Sequence, residues 1–303
     1  MSQYFDNKEL FVGPTTTQYG SHMVTTNVLK ETKMKYVNID TRFQDEYNFN
    51  SVANLNVTLP ERINDAKRIR ACTAEIPMSI FNISSDLKNN CFTFGENTII
   101  IPNGNYDANG LVSVINSKIQ TMIDSSINVY IISNNNVCFE NRSYNNYDIN
   151  FAVDSNGNFD KYNVKSKLGW LMGFRDISYT LNSNMVIYTT LVSESMINMS
   201  GPKYLYLVID EFSRGNQNSF LSPIANSFIN KNILARITVD SQHYPYGSIL
   251  TANLFNGLLL SDHRSYNGKI DLQKLNIQIV DEYGNPVNLN GLDFSFCLEI
   301  EHV

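Results

Sequence analysis

The chain has 303 residues, 43% hydrophobic and only 17% charged, with a net charge of −6 from 29 acidic and 23 basic residues. That length supports a substantial core, in one large β domain or two ordinary ones. The acidic balance speaks against non-specific nucleic-acid binding, which needs a basic footprint, so no direct nucleic-acid contact is expected.

Residues 1–33 carry no sustained hydrophobic period, and "VGPTTTQYGSHMVTTN" is rich in Thr, Gly and Ser. This stretch reads as an extended N-terminal arm, ordered only when something holds it. It has no basic segment followed by an apolar core, so no signal peptide is expected, and no apolar run anywhere is long enough for a transmembrane segment.

Alternation begins at "KMKYVNID" and opens a β-sandwich body over 34–303. "NLNVTLP" (54–60) sets Leu55, Val57 and Leu59 against Asn54, Asn56 and Thr58, the period of a half-buried strand. "AKRIRACTAEIPM" (66–78) reads as a further strand, with Ile69, Ala71 and Thr73 on one face and Arg68, Arg70 and Cys72 on the other. Lys67, Arg68 and Arg70 form the best basic cluster. They read either as a solvated or salt-bridged sheet face or as an electrostatic contact to a neighbouring subunit. "CFTF" and "NTIIIP" flank a Gly-Glu-Asn turn as a hairpin, and "NVYIIS" and "NVCFE" form another.

Between the hairpins lies one amphipathic helix, about 107–123. Pro102, Gly104 and Asn105 end the preceding strand, Asp107 is the N-cap, and Leu111, Val114, Ile115, Ile119, Met122 and Ile123 form one stripe. A phosphate-binding helix start would want several glycines and free amides; here Asp107 fills that position with its own charge. The helix therefore reads as architecture, capping one open end of the sandwich. "SKLGWLMGFRD" (166–176), with the sole tryptophan, Trp170, reads as a short helical turn or tight loop plugging the core. The polar stretch "RDISYTLNSN" marks a conceivable subdivision near 175–185.

"KYLYLVIDEF" (203–212) is apolar on both faces, so its second face should be covered. Tyr204 and Tyr206 join the basic cluster as candidate interface residues, since tyrosine is enriched at interfaces. In "KLNIQIVDEYGNPVNLNGLDFSFCLEIEHV" two half-buried strands flank a turn at Gly284-Asn285-Pro286 and read as an antiparallel pair. Many short strands with turn residues between them imply a mainly β fold, an antiparallel β-sandwich or jelly roll.

Nothing in the sequence assembles into a catalytic, cofactor-binding or metal-binding constellation, and the chain reads as no enzyme. "LVIDE" (207–211) resembles a nucleotide hydrolase's carboxylate strand but lacks a GxxxxGK[ST] loop, so it reads as a core strand ending in solvated carboxylates. The Asp-Glu pairs at 45–46 and 281–282 sit beside turns. Ser85 and Lys88 have SxxK spacing without its companion motifs. His22, His243, His263 and His302 are scattered. Cys72, Cys91, Cys138 and Cys297 lie singly and read as free thiols of a reducing compartment, with a disulfide between two of them left open.

The blocks "YVNIDTRFQDEYNFNSVANLNVTLPERINDAKRIRACTAEIPMSIFNIS", "IIIPNGNYDANGLVSVINSKI", "LGWLMGFR", "KYLYLVIDEF", "ILARI" and "DLQKLNIQIVDEYGNPVNLNGLDFSFCLEIEH", in this order, resemble the minor capsid proteins of nucleocytoplasmic large DNA viruses, the giant-virus group. The resemblance runs from about residue 35 to the C-terminus. It implies a virion structural protein, assembled in the host cytoplasm, that cements major capsomers or occupies special positions such as vertices. Its partners would be the major capsid protein and other minor capsid proteins, with the N-terminal arm contacting a neighbouring subunit. No cofactor and no catalytic residue is implied. The alternative is a β-sandwich binding module, a fibre or spike component recognising a host surface or glycan.

Overall fold

The computed structural model describes residues 15–16, 22–23, 31–44, 53–160, 164–184, 188–212, 220–224, 227–229 and 232–303. Most of the expected arm, and the Asp45–Glu46 pair, lie outside these residues. In chain order, β1 (Thr15–Thr16) and β2 (His22–Met23) pair with each other. β3 (Lys33–Asp40) and β4 (Asn54–Pro77) follow. Next come β5 (Cys91–Phe94), β6 (Asn97–Ile100), α1 (Ala108–Met122), β7 (Ile127–Ile131), β8 (Asn136–Asn141), β9 (Tyr147–Asn150), α2 (Leu168–Leu171), β10 (Ser178–Leu181) and β11 (Thr189–Met196). The chain ends with β12 (Tyr204–Asp210), β13 (Ser222–Ile224), β14 (Ser227–Ile229), β15 (Ile233–Thr238), β16 (Ile249–Asn253), β17 (Leu259–Ser261), β18 (Arg264–Val280) and β19 (Ser295–His302).

The fold is mainly β and antiparallel, as the sequence implies, and its largest sheet curls into a half-barrel. That sheet has eight strands in the order β17-β15-β12-β18-β4-β19-β3, with β16 beside the end of β4. The segment between β4 and β12 builds two smaller sheets, β10-β9-β5-β6 and β11-β8-β7. Each group buries its own apolar cluster. Leu55, Ile69, Leu207, Ile277, Phe296 and Leu298 belong to the first; Phe92, Ile99, Ile115, Phe139, Phe151 and Phe174 belong to the second. The stretch near 175–185 lies inside the second group, where β10 pairs with β9 and Leu181 is buried.

β4 is one 24-residue strand where the sequence reads two. Pro60, Asn64 and Asp65, between the two segments read as strands, occupy irregular stretches where the ladder to β18 skips between Thr58 and Ile63 and again between Ile63 and Ala66. Asp65 takes φ 50 there, and its N–H donates to Asp271 at 3.0 Å. Extra residues of this kind bend and twist a strand. Another falls at Cys72, where β19 pairs Leu298 with Ala71 but Cys297 with Thr73. The buried positions accordingly shift phase from Ile69 and Ala71 to Ala74 and Ile76, so Thr73 is not on the core face.

The C-terminal strands correct a second expectation. β18 and β19 do not pair with each other: β4 lies between them and is antiparallel to both, so β18 and β19 run parallel. The connecting residues 281–294 are long enough to cross a strand. β12 buries Leu205, Leu207 and Ile209 in the main core, while Tyr206 and Val208 on its other face pack with Ile229, Ile233 and Val280. The second face is therefore covered, as expected.

α1 forms as the sequence predicts, with the Asp107 carboxylate accepting from Gly110 N at 2.8 Å. Its buried residues are Leu111, Val112, Ile115 and Ile119, while Met122 is 54% exposed. The helix lies along β7, an edge strand, and bonds two of its backbone groups: Asn116 Oδ1 accepts from Val129 N at 2.8 Å, and Gln120 Nε2 donates to Ile127 O at 3.0 Å. α2 is the expected short turn. Gly169 meets the Phe151 ring so closely that a Cβ would come within 2.3 Å of it, and Gly173, at φ +96, would place one 1.9 Å from Ser195 O. Leu168, Met172 and Phe174 plug the second core, but Trp170 does not; it lies half-exposed at the edge of a cleft.

Ile115→Ala should lower unfolding free energy by about 2–5 kcal/mol through the cavity it leaves. Ser117→Ala on the exposed face should change it by no more than about 0.5 kcal/mol. Urea denaturation followed by circular dichroism checks both.

Candidate functional site

The candidate interface residues occupy two places. Arg68 and Arg70 lie on the outer face of β4, opposite Glu301 and Glu299 of β19. Arg68 pairs with Glu301, and Arg70 Nε reaches Glu299 Oε1 at 2.8 Å. Tyr36 on β3 donates to Glu299 at 3.3 Å, and His263 Nε2 lies 4.0 Å from it. This is the salt-bridged sheet face that the spacing allows. Lys67 is half-buried beside it. Tyr204 carries the Arg236 guanidinium 4.3 Å above its ring, while Tyr206 is buried and donates its hydroxyl to Ser222 at 2.9 Å. The β13–β14 hairpin removes Tyr206 from the surface and from the list of exposed contact residues.

The Arg70 hydrogen bond holds the Glu299 carboxyl below its ordinary range, and Thr32 together with Arg68 does the same for Glu301. His263 is pushed down by burial and by the Arg70 and Arg68 charges. Cys72, between these groups, is pushed up to about 11, first by burial and then by Glu299. All four cysteines are unbonded to one another, and burial also raises Cys91, Cys138 and Cys297.

"LVIDE" conceals the feature hardest to read from sequence. Glu211 is not solvated: it lies at the end of β12, buried, and accepts from Arg264 Nη1 at 2.7 Å and from the Tyr266 hydroxyl at 2.5 Å. Arg264 also donates to Ile209 O and Asn232 O, each at 2.8 Å. Burial and the adjacent carboxylate raise Tyr266 far above its ordinary range. Three strands far apart in sequence converge to build this network. The only trace in the sequence is a carboxylate ending an all-apolar strand.

A cleft of about 460 Å³ opens where the two groups of sheets meet. Asn82 ties the crossing segments together, donating to Tyr106 O at 2.7 Å and Met199 O at 2.9 Å and accepting from Tyr106 N at 2.9 Å. Ser79 donates to Leu289 O at 2.6 Å, and Asn288 to Asp86 at 2.7 Å. Trp170 stands at the rim with Arg175 4.3 Å over its ring. Lys167, almost wholly buried, pairs with Asp160 at 2.6 Å. The lining mixes both charges, and burial raises Asp281 and pushes Tyr283 up to about 12. Ser85 exchanges hydrogen bonds with Asn103 in a turn, so the SxxK spacing sets up no nucleophile. His243 is capped by Asp240 in an exposed turn, at 2.7 Å. Among the described residues no three His, Cys, Asp or Glu side chains gather at a metal-sized point, and no helix is long and apolar enough to cross a membrane.

No family profile matches the chain, and no curated protein sequence matches it. Among solved structures it is similar to the selenomethionine-labelled mavirus penton protein, at 8% identity and a TM-score of 0.43, over 90% of this chain and all of that one.

Two outcomes test these groups. Arg264→Ala should destabilise by about 3–5 kcal/mol, because it strands a buried carboxylate; Arg264→Met combined with Glu211→Gln should recover most of the loss in chemical denaturation. The outer face sets an acid profile. Unfolded His263 takes up a proton below its ordinary 6.5 while the folded form resists, so stability falls as pH drops through that value. Glu299 and Glu301, held below their ordinary 4.5, contribute stability that is present above 4.5 and lost as pH falls further. His263→Gln should remove the upper limb of this profile and leave the lower one, in thermal melts from pH 7 to 3.

Proposed function

We propose that the chain is a structural component of a large icosahedral DNA virus particle, a minor capsid protein that cements major capsomers or occupies special positions such as vertices. The observation that carries this reading is the amount of assembly-prone surface left on an otherwise well-packed β protein. Large apolar side chains stand in solvent, among them Phe255 at 97% exposure, Leu221 at 75% and Leu260 at 59%. Tyr246, Ile249, Phe255 and Leu260 fall within one short stretch of chain. Monomeric proteins rarely expose such groups together, and rarely leave long strand edges open, because both invite association. The sequence resemblance to minor capsid proteins supplies the kind of assembly. The cluster of Lys67, Arg68 and Arg70 is then a polar rim of the contact, with the two arginine charges already balanced by β19. The chain divides into a body, 34–78 and 204–303, that carries the capsid contacts, and an inserted unit, 79–203, held at the Asn82 junction.

Mass spectrometry of purified particles should recover the protein at a fixed ratio to the major capsid protein. Phe255→Asp with Leu260→Asp should lower incorporation at least tenfold without changing the melting temperature. Absence from particles, with binding of the isolated protein to glycans and none to capsomers, would overturn the assignment in favour of a host-recognition module.

A further inference from the structure

The half-barrel has an open seam. β3 pairs along one edge with β19, and among the described residues its other edge has no backbone partner. The first half of β4 is in the same condition: it pairs with β18 on one side, while β19 begins only at Ala66. These two free edges face each other across a groove of about 470 Å³ that runs beside residues 35–40 and 55–63. Side chains span it, Lys35 Nζ meeting Glu61 Oε2 at 2.8 Å, but among the described residues no backbone hydrogen bond does. Its floor is apolar, from Ile39, Leu55, Leu59 and Ile63 of the main core. Pro60, which has no N–H to donate, lies on it. At one end both amide atoms of Gln44 are buried without a partner. Six residues of β3 line it, so it is about 20 Å long at roughly 3.3 Å per residue. Two parallel rows of unused backbone donors and acceptors over an apolar floor match one extended strand, which would complete both ladders at once.

We infer that this seam takes the N-terminal arm, residues 1–30, of a second copy of the chain. The arm ends at Glu31, beside β3, and is long enough to leave its own body. It contains strand-like alternation at "YFDNKELFV" and "VTTNVL". Its own seam is poorly placed for it. A direct return along β3 needs a reversal between residues 24 and 32. That stretch offers Asn27 as its one turn residue, and Thr32, bonded to Glu301, still follows the line of β3. An arm from another copy is not bound by that limit. Exchange of an extended segment between like subunits joins them at little cost in new surface, and it holds whether or not the protein is found in particles.

The full chain and a chain lacking residues 1–30 test this. Sedimentation should show self-association of the full chain at tens of micromolar and at least a tenfold weaker tendency in the shortened one. A fluorescent peptide of residues 1–30 should bind the shortened chain, and hydrogen exchange should then slow at residues 35–40 and 55–63. Amine cross-linking of a ¹⁴N/¹⁵N mixture should join Lys8 or Lys30 of one copy to Lys35 of the other. Self-association unchanged by the deletion, protection elsewhere than the two seam strands, or cross-links confined to single copies would each overturn the exchange.

Discussion

β4 is the strand that the larger sheet is built around. At 24 residues it is several times the usual strand length, and a strand that long has to coil if the sheet is to bury one face. The extra residues near Pro60, Asp65 and Cys72 supply that coiling, and each changes which side chains point inward. Because β4 outruns every neighbour, it serves different partners along its length: β18 and then β16 on one side, β19 only over its second half on the other. The parallel relation of β18 and β19, the long connection over 281–294 and the open seam all follow from that one strand.

The Arg264–Glu211–Tyr266 network is the second constraint on the body. It sits where β12, β18 and the residues before β15 meet, and it satisfies backbone carbonyls as well as a carboxylate. Taking two charges out of water is expensive, and a buried pair adds little net stability over an apolar one. Its value lies in exclusion: any other register between β12 and β18 would leave a charge unpaired in the core. The Asn82 side chain acts similarly at the junction. By bonding to both Tyr106 and Met199 it fixes the place where the inserted unit leaves and rejoins the body, and so shapes the cleft there.

Packing quality and surface character pull apart in this molecule. The interior is closed, with aromatic rings from Phe92 to Phe174 in mutual contact in the inserted unit. Among the described residues the boundary is not closed: it carries apolar side chains, free strand edges and a groove with no backbone bridging. A subunit whose final hydrogen bonds are completed by a neighbour has this distribution, since the energy withheld from the monomer becomes available on assembly.

The sequence by itself determined the local structure. Strand-like patterning located β3 to β8, β12, β18 and β19 but left β9 to β11 and β13 to β17 unread, and Asp107 and the Leu111–Ile119 stripe defined the helix. The isolation of the cysteines fitted free thiols, and the glycines of "LGWLMG" marked a tight turn. Side-chain period reports which face of an element is buried, and those features needed nothing more. It carries no information about which edge pairs with which. That is why β18 and β19 looked like a hairpin, why β4 looked like two strands, and why the stripe of α1 did not reveal that its polar flank bonds β7. The solvated appearance of Glu211 and the reading of Trp170 as part of a core plug failed for the same reason. Each depends on elements tens to hundreds of residues away, brought in by hydrogen bonds between strand edges and by the shape of a curled sheet, and only the tertiary structure decides those.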